Sequence, residues 1–250
     1  MEERLAVPLS RDVIIRHWLL NSAINFPIPL TVLFPFFSWG RLNLREIPNV
    51  QGEDYARNLL ELFHSGMIEF SSALPEDDPT TRPGVARILD RYLALPRDFQ
   101  WVGPRSATDP KMQADFSLTP RGGESWEKLA RPEWGRFISG FSTPLDDGNV
   151  DEMDGELISP NRDLLIAYMG WYPEVNHEEI RLDTIKWETH ADHEVLYWKR
   201  LPFVCHALFR VRRSEGRWKD HIVPKWFHDW WTYAQHWHKD PWDLPGWPSK

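Results

Sequence analysis

The stretch from Thr143 to Glu156, TPLDDGNVDEMDGE, places the strongest limit on how this chain can fold. It holds six acids and no base, with turn formers at Pro144, Gly148 and Gly155. A run of that kind cannot bury a core and reads as a solvated linker or long loop. It parts the chain into an N-terminal domain over 1–142, a linker or loop over 143–156, and a C-terminal domain over 157–250. Apolar content of 42%, with 14% aromatic, excludes a disordered chain. The net charge of −8 argues against a protein that works by coating nucleic acid. A single cysteine, Cys205, excludes an intrachain disulfide and a Cys-rich zinc site.

Met1-Glu2-Glu3 is acidic, and no basic segment leading into an apolar run and a cleavage site follows it. The most apolar stretch, Phe26 to Trp39, is shorter than the roughly 20 residues a spanning helix needs. It also contains Pro27, Pro29 and Pro35, so it reads as a bent core segment. The expected location is cytoplasmic, with no membrane partner.

Local signals set out the first half. Ser10 is placed to cap a helix carrying Val13, Ile14, His17, Trp18 and Leu20 on one stripe. A short helix is expected over Leu42 to Ile47. The clearest helix runs from Gly52 to His64, with Tyr55, Leu59 and Leu62 inward and Gly66 at the C-terminal cap. Met67 to Phe70 reads as a strand, Thr80 to Pro96 as a helix, and Ala114 to Leu118 as an alternating strand. Thr119-Pro120 opens a further helix, a threonine cap with proline in the first turn. Pro132 bends or ends it, and Glu133 to Ser139 is expected to continue beyond.

This order carries a resemblance. Three helices ending in Phe63-His64-Ser65-Gly66-Met67-Ile68, a strand, and a second strand running into Leu118-Thr119-Pro120-Arg121-Gly122 resemble the winged-helix superfamily over about residues 10–139. The resemblance implies a third helix followed by a two-stranded wing. About forty residues, with a helix of their own, separate the two strands here, where a simple wing has only a few. Many winged helices read DNA with the third helix. In this chain that helix carries Glu53, Asp54 and Glu61 against the single base Arg57. Phosphate contacts need Lys or Arg, so the helix is poorly charged for DNA; Arg57 and Asn58 are the residues that would carry the role.

The second half holds ten of the fifteen tryptophans and eight of the ten histidines. Ser159-Pro160 is expected to start a helix ending at Gly170. Ile180 to Thr189, Glu194 to Arg200 and Phe203 to Arg213 read as strands, with one more at Trp218 to Val223. The fold class is α+β: a winged-helix-like N-terminal domain with an inserted helix, then a small antiparallel sheet with helices. The phrase Tyr197-Trp198-Lys199-Arg200-Leu201-Pro202, downstream of Gly122-Gly123-Glu124-Ser125-Trp126-Glu127, is similar to a group of bacterial proteins of uncharacterised function.

Catalytic and cofactor motifs are missing from the sequence. There is no G-x-S-x-G, P-loop or dinucleotide fingerprint; Gly122-Gly123 opens a helix where phosphate can bind, but close packing explains two glycines equally well. Neither His190 with His193 nor His228 with His236 has a zinc-ligand spacing, so no metal and no cofactor are expected. Cys205-His206 would point to opposite faces of a strand and cannot act together. The acids of the seam do not follow calcium-loop spacing. They are instead candidates to meet a basic protein: Asp146, Asp147, Asp151, Glu152 and Asp154. Trp231 and Trp242, from the Trp-rich tail, are candidate anchors for the same partner. Trp226, Trp230 and Trp237 share a helical face and are expected to pack on the C-terminal sheet. The leading functional expectation is a non-catalytic interaction protein whose partner is another protein, of the immunity type that neutralises a toxin. The alternative is a winged-helix transcriptional regulator, and an enzyme of unrecognised chemistry ranks third.

Overall fold

The computed structural model describes residues 8–33, 47, 49–95, 111, 113–144, 152–176, 178–213 and 237–245. Helices and antiparallel sheets make an α+β protein of two compact units. Unit 1 takes the described residues up to Arg131, together with Leu196–Trp198 and those from Lys239 onward; unit 2 takes the remainder.

In unit 1 the chain runs α1 (Arg11–Ser22), β1 (Ile28–Pro29), α2 (Leu30–Leu33), α3 (Gly52–His64), β2 (Ile68–Ser72), α4 (Arg82–Leu93), β3 (Ala114–Leu118) and α5 (Pro120–Ala130). Capping places the helix ends where the sequence signals them. Ser10 Oγ accepts from Val13 N, Thr81 Oγ1 from Gly84 N, and Thr119 Oγ1 from Gly122 N. Gly66 takes φ +68° just past α3, which turns the chain directly into β2. The sheet order is β1-β3-β2, with Phe116 of β3 opposite both Ile28 and Phe70. Its core gathers Trp18, Tyr55, Leu59, Phe116 and Trp126, all fully buried.

The segment between β2 and β3 has its own anchor. A 3₁₀ turn over Pro75–Asp77 precedes α4, and Asp77, 2% exposed, takes both guanidinium nitrogens of Arg91 at 2.7 Å and the hydroxyl of Ser72. Arg91 holds the Asp77 carboxyl below the usual carboxylate range, against the opposing effect of burial. Tyr92, buried on the inner side of α4, accepts the Ala114 N–H, and burial pushes its phenol up to about 12. The expected helix at Leu42 to Ile47 lies, apart from Ile47, outside the described residues.

In unit 2, β4 (Ser139–Pro144), β5 (Glu152–Ser159), β6 (Glu178–Leu196) and β7 (Lys199–Arg213) form a sheet of order β4-β5-β7-β6, and α6 (Arg162–Asn176) covers one face. Met153, Leu157, Ala207, Phe209 and Val211 point into the core with Leu165 and Met169 of α6. Four expectations change here. The acidic stretch is not a linker along its length: Thr143-Pro144 end β4, and Glu152 to Glu156 belong to β5, paired residue by residue with β4 and β7. Its acids alternate with Met153 and Leu157, so the strand is half-buried and averaging over both faces hides it. Residues 145–151 lie outside the described set.

The helix expected to run past Pro132 instead ends at Ala130. Arg131 takes φ +48°, and Trp134–Arg136 form only a 3₁₀ turn before β4. Helix α6 starts later than Ser159-Pro160, where Asn161 Oδ1 accepts from Asp163 N and Leu164 N, and it passes through Gly170 to Asn176. Finally, the strand expected over Glu194 to Arg200 is divided by a turn at Tyr197-Trp198: Glu194 to Leu196 complete β6, which also takes in the strand expected at Ile180 to Thr189, and Lys199-Arg200 open β7, which runs on through Leu201-Pro202 to Arg213. Pro202 is tolerated because the β5 partners of β7 begin only at Cys205, so its missing N–H breaks no ladder on that side. The tail helix expected over Trp226 to Trp237 and the strand at Trp218 to Val223 lie outside the described residues, except Trp237. That ring packs on Trp134 and Phe137 at 5.0 and 5.1 Å between centroids.

Candidate functional site

Helix α3 is amphipathic, and its inward positions, Tyr55, Ala56, Asn58, Leu59 and Leu62, are fixed by packing. Asn58 is therefore not on the outer surface. It is 2% exposed, and its amide donates to Asp54 O at 2.8 Å and to Asp12 Oδ1 at 3.3 Å. Arg57 does point outward, but its guanidinium is shared between Asp12 Oδ1 at 3.1 Å and Asp54 Oδ1 at 3.0 Å. The Asn58 amide first, and Arg57 second, hold the Asp12 carboxyl below the usual carboxylate range. The other exposed positions of the helix are Glu53, Glu61 and His64. The outer face of α3 thus offers carboxylates and one base already engaged by two acids.

Gly122 and Gly123 are explained by close approach. A Cβ on Gly122 would fall 1.9 Å from Met67 O, and one on Gly123 would fall 1.9 Å from the Trp198 ring. Trp198 meets Trp126 edge-on at 5.9 Å and donates to Ile24 O at 2.8 Å. Neighbouring Tyr197 accepts from Leu118 N and donates to Ala23 O; burial pushes its phenol up to about 12. The phrase at 197–202 therefore includes two packing residues of unit 1. The Thr119 cap already takes the Gly122 N–H at the start of α5.

Of the acids expected to meet a partner, Glu152 and Asp154 lie on the solvent side of β5. Glu152 pairs with Arg181 at 3.4 Å and Arg210 at 3.7 Å, and Asp154 lies 3.8 Å from Arg210. Their charge is locally compensated. Asp146, Asp147, Asp151 and Trp231 lie outside the described residues. Trp242 is half-buried in a 3₁₀ turn over Pro241–Asp243.

The same solvent face of unit 2 carries a cluster that local spacing could not reveal. Glu188 and His190 are two apart on β6 and so share a face. His206 on β7 joins them, with its Nδ1 3.3 Å from His190 Nε2, and Glu188 Oε2 also lies 3.3 Å from that nitrogen. Glu156 Oε1 on β5 is 3.0 Å from His206 Nε2, although off the line of an N–H bond. Of the histidines singled out from the sequence, His190 and His206 take part, while His228 and His236 lie outside the described residues. His193 stacks beside His190 at 5.4 Å between centroids, while Cys205 turns into the core on the opposite face from His206. No helix among the described residues is long and apolar enough to cross a membrane. No family model, curated protein or solved structure matches the chain.

Proposed function

We propose that this chain is a non-catalytic interaction protein, with unit 1 a winged-helix-like scaffold turned to protein contact. The sheet order β1-β3-β2 and the succession of α1, β1, α2, α3, β2, β3 and α5 support the winged-helix reading, with α4 in a long insertion between the last two strands. The observation that carries the functional reading is the state of α3: Asn58 is buried against Asp12 and Asp54, and Arg57 is held by the same two acids. A DNA-reading helix needs an exposed base reader and cations for phosphate. This one offers neither, which favours a protein over the regulator reading. Within this reading the partner is a basic protein, as a toxin neutralised by an immunity-type protein would be.

The test is purification from the native host followed by mass analysis. A stoichiometric protein partner is expected, with its affinity reduced at least ~10-fold by the charge reversals Glu53→Lys and Glu61→Lys, because like charges across an interface cost several kcal/mol. Recovery of nucleic acid in place of a protein would overturn the reading.

A further inference from the structure

We propose that Glu188, His190 and His206 form a binding site for one zinc-class divalent metal ion, with Glu156 as the carboxylate behind His206. Their ligand atoms, a carboxylate oxygen and one nitrogen from each ring, all lie within 4.8 Å of one another. The separations match those of ligands around one ion. Two ligands at about 2.0–2.1 Å from a tetrahedral zinc sit roughly 3.3–3.4 Å apart. His190 Nε2 lies 3.3 Å from both Glu188 Oε2 and His206 Nδ1.

Proton placement points the same way. With the proton on His190 Nε2, that one hydrogen would have to serve Glu188 and His206 together; with the proton on His206 Nδ1, the Glu188 carboxylate faces a bare ring nitrogen. A cation at the centre removes the conflict, since all three atoms then present lone pairs to it. His206 Nε2 keeps its proton and faces Glu156 Oε1 at 3.0 Å. Metal-bound histidines typically have such a carboxylate behind them, fixing the tautomer. Glu156 is a quarter exposed on its side chain and can rotate to align with that N–H.

The set is one carboxylate and two imidazoles on two neighbouring strands, with the backing carboxylate on a third. Imidazole and carboxylate together suit zinc and its first-row neighbours better than calcium or magnesium. Three protein ligands leave one position for water or a further ligand. His206 is only 12% exposed and His190 37%, so the ion would sit at the sheet surface. This site is independent of the protein-interaction reading: it lies on unit 2, and its test does not involve a partner.

The experiment is competition of Zn(II) between the full chain and a chromophoric chelator, with the visible spectrum of Co(II) as a second readout. One ion per chain is expected, with intense Co(II) bands of four-coordinate type. His190→Ala and His206→Ala should each weaken binding at least ~100-fold, and Glu156→Gln by about 10-fold or more. His64→Ala, at an exposed histidine of α3 in unit 1, should leave it unchanged. His190 is partly exposed, so the metal-free melting curve of His190→Ala should match wild type and separate ligand loss from misfolding. Wild-type binding no tighter than that of the His190→Ala/His206→Ala double variant would overturn the site, as would loss of binding caused by His64→Ala.

Discussion

Asp77→Ala is expected to lower the free energy of unfolding by about 3–5 kcal/mol, a fall in melting temperature on the order of 10 °C. The carboxylate is 2% exposed and receives two charge-assisted hydrogen bonds of 2.7 Å from Arg91. Removing it strands a cation whose side chain is only 23% exposed, and it also takes away the partner of Ser72. The loss should fall toward the lower end of that range because Arg91 keeps some access to water. Replacing both partners, as in Asp77→Leu/Arg91→Met, should cost far less than Asp77→Ala alone, since no buried charge remains. Acidity adds a second check. Arg91 depresses the folded carboxyl below its unfolded value, so this stabilisation is complete above the unfolded value, about 3.9, and is lost as pH falls through the folded one. Wild type and Asp77→Asn should therefore converge in stability below about pH 4. A constant gap between them down to pH 2 would show that the pair does not act through ionisation.

Trp126→Ala should be comparably damaging, at about 3–5 kcal/mol. The ring is fully buried, meets Trp198 edge-on at 5.9 Å, and donates from Nε1 to Asn21 Oδ1 at 3.0 Å. Truncation opens a large cavity and leaves Asn21 without that donor at a site only 8% exposed. Trp126→Phe separates these effects. It retains most of the packing and loses the hydrogen bond, so about 1–2 kcal/mol is expected. Urea unfolding of the two variants measures both. A Trp126→Ala midpoint within 1 kcal/mol of wild type would contradict the packing described for unit 1.

The features legible in the sequence are those whose cause is local. Ser10 and Thr119-Pro120 cap α1 and α5 because a side-chain oxygen next to the helix start acts whatever the tertiary context. Gly66 ends α3 because a residue at φ +68° suits glycine best. Strand β5 is hard to see in the sequence because its acids alternate with its inward residues, and the composition of the whole run conceals that period of two. Pro132 marks the end of α5, but a non-glycine residue at φ +48°, Arg131, and the 3₁₀ turn that replaces the expected continuation leave no such mark. The candidate sites divide the same way. Arg57 and Asn58 could be placed on the third helix, but their pairing with Asp12 spans more than forty residues and depends on how α1 crosses α3. His190 and His206 meet only through the pairing of β6 with β7, and strand register is not written in ligand spacing.

Under the proposed function, α3 serves protein contact and does not read DNA. The most direct measurement is fluorescence anisotropy of a labelled random duplex titrated with the full chain at about 150 mM salt. The expected result is a dissociation constant no tighter than about 100 µM, the weak end of non-specific binding, and unaffected by Arg57→Ala. Sub-micromolar binding that falls steeply with salt and is abolished by Arg57→Ala would contradict it.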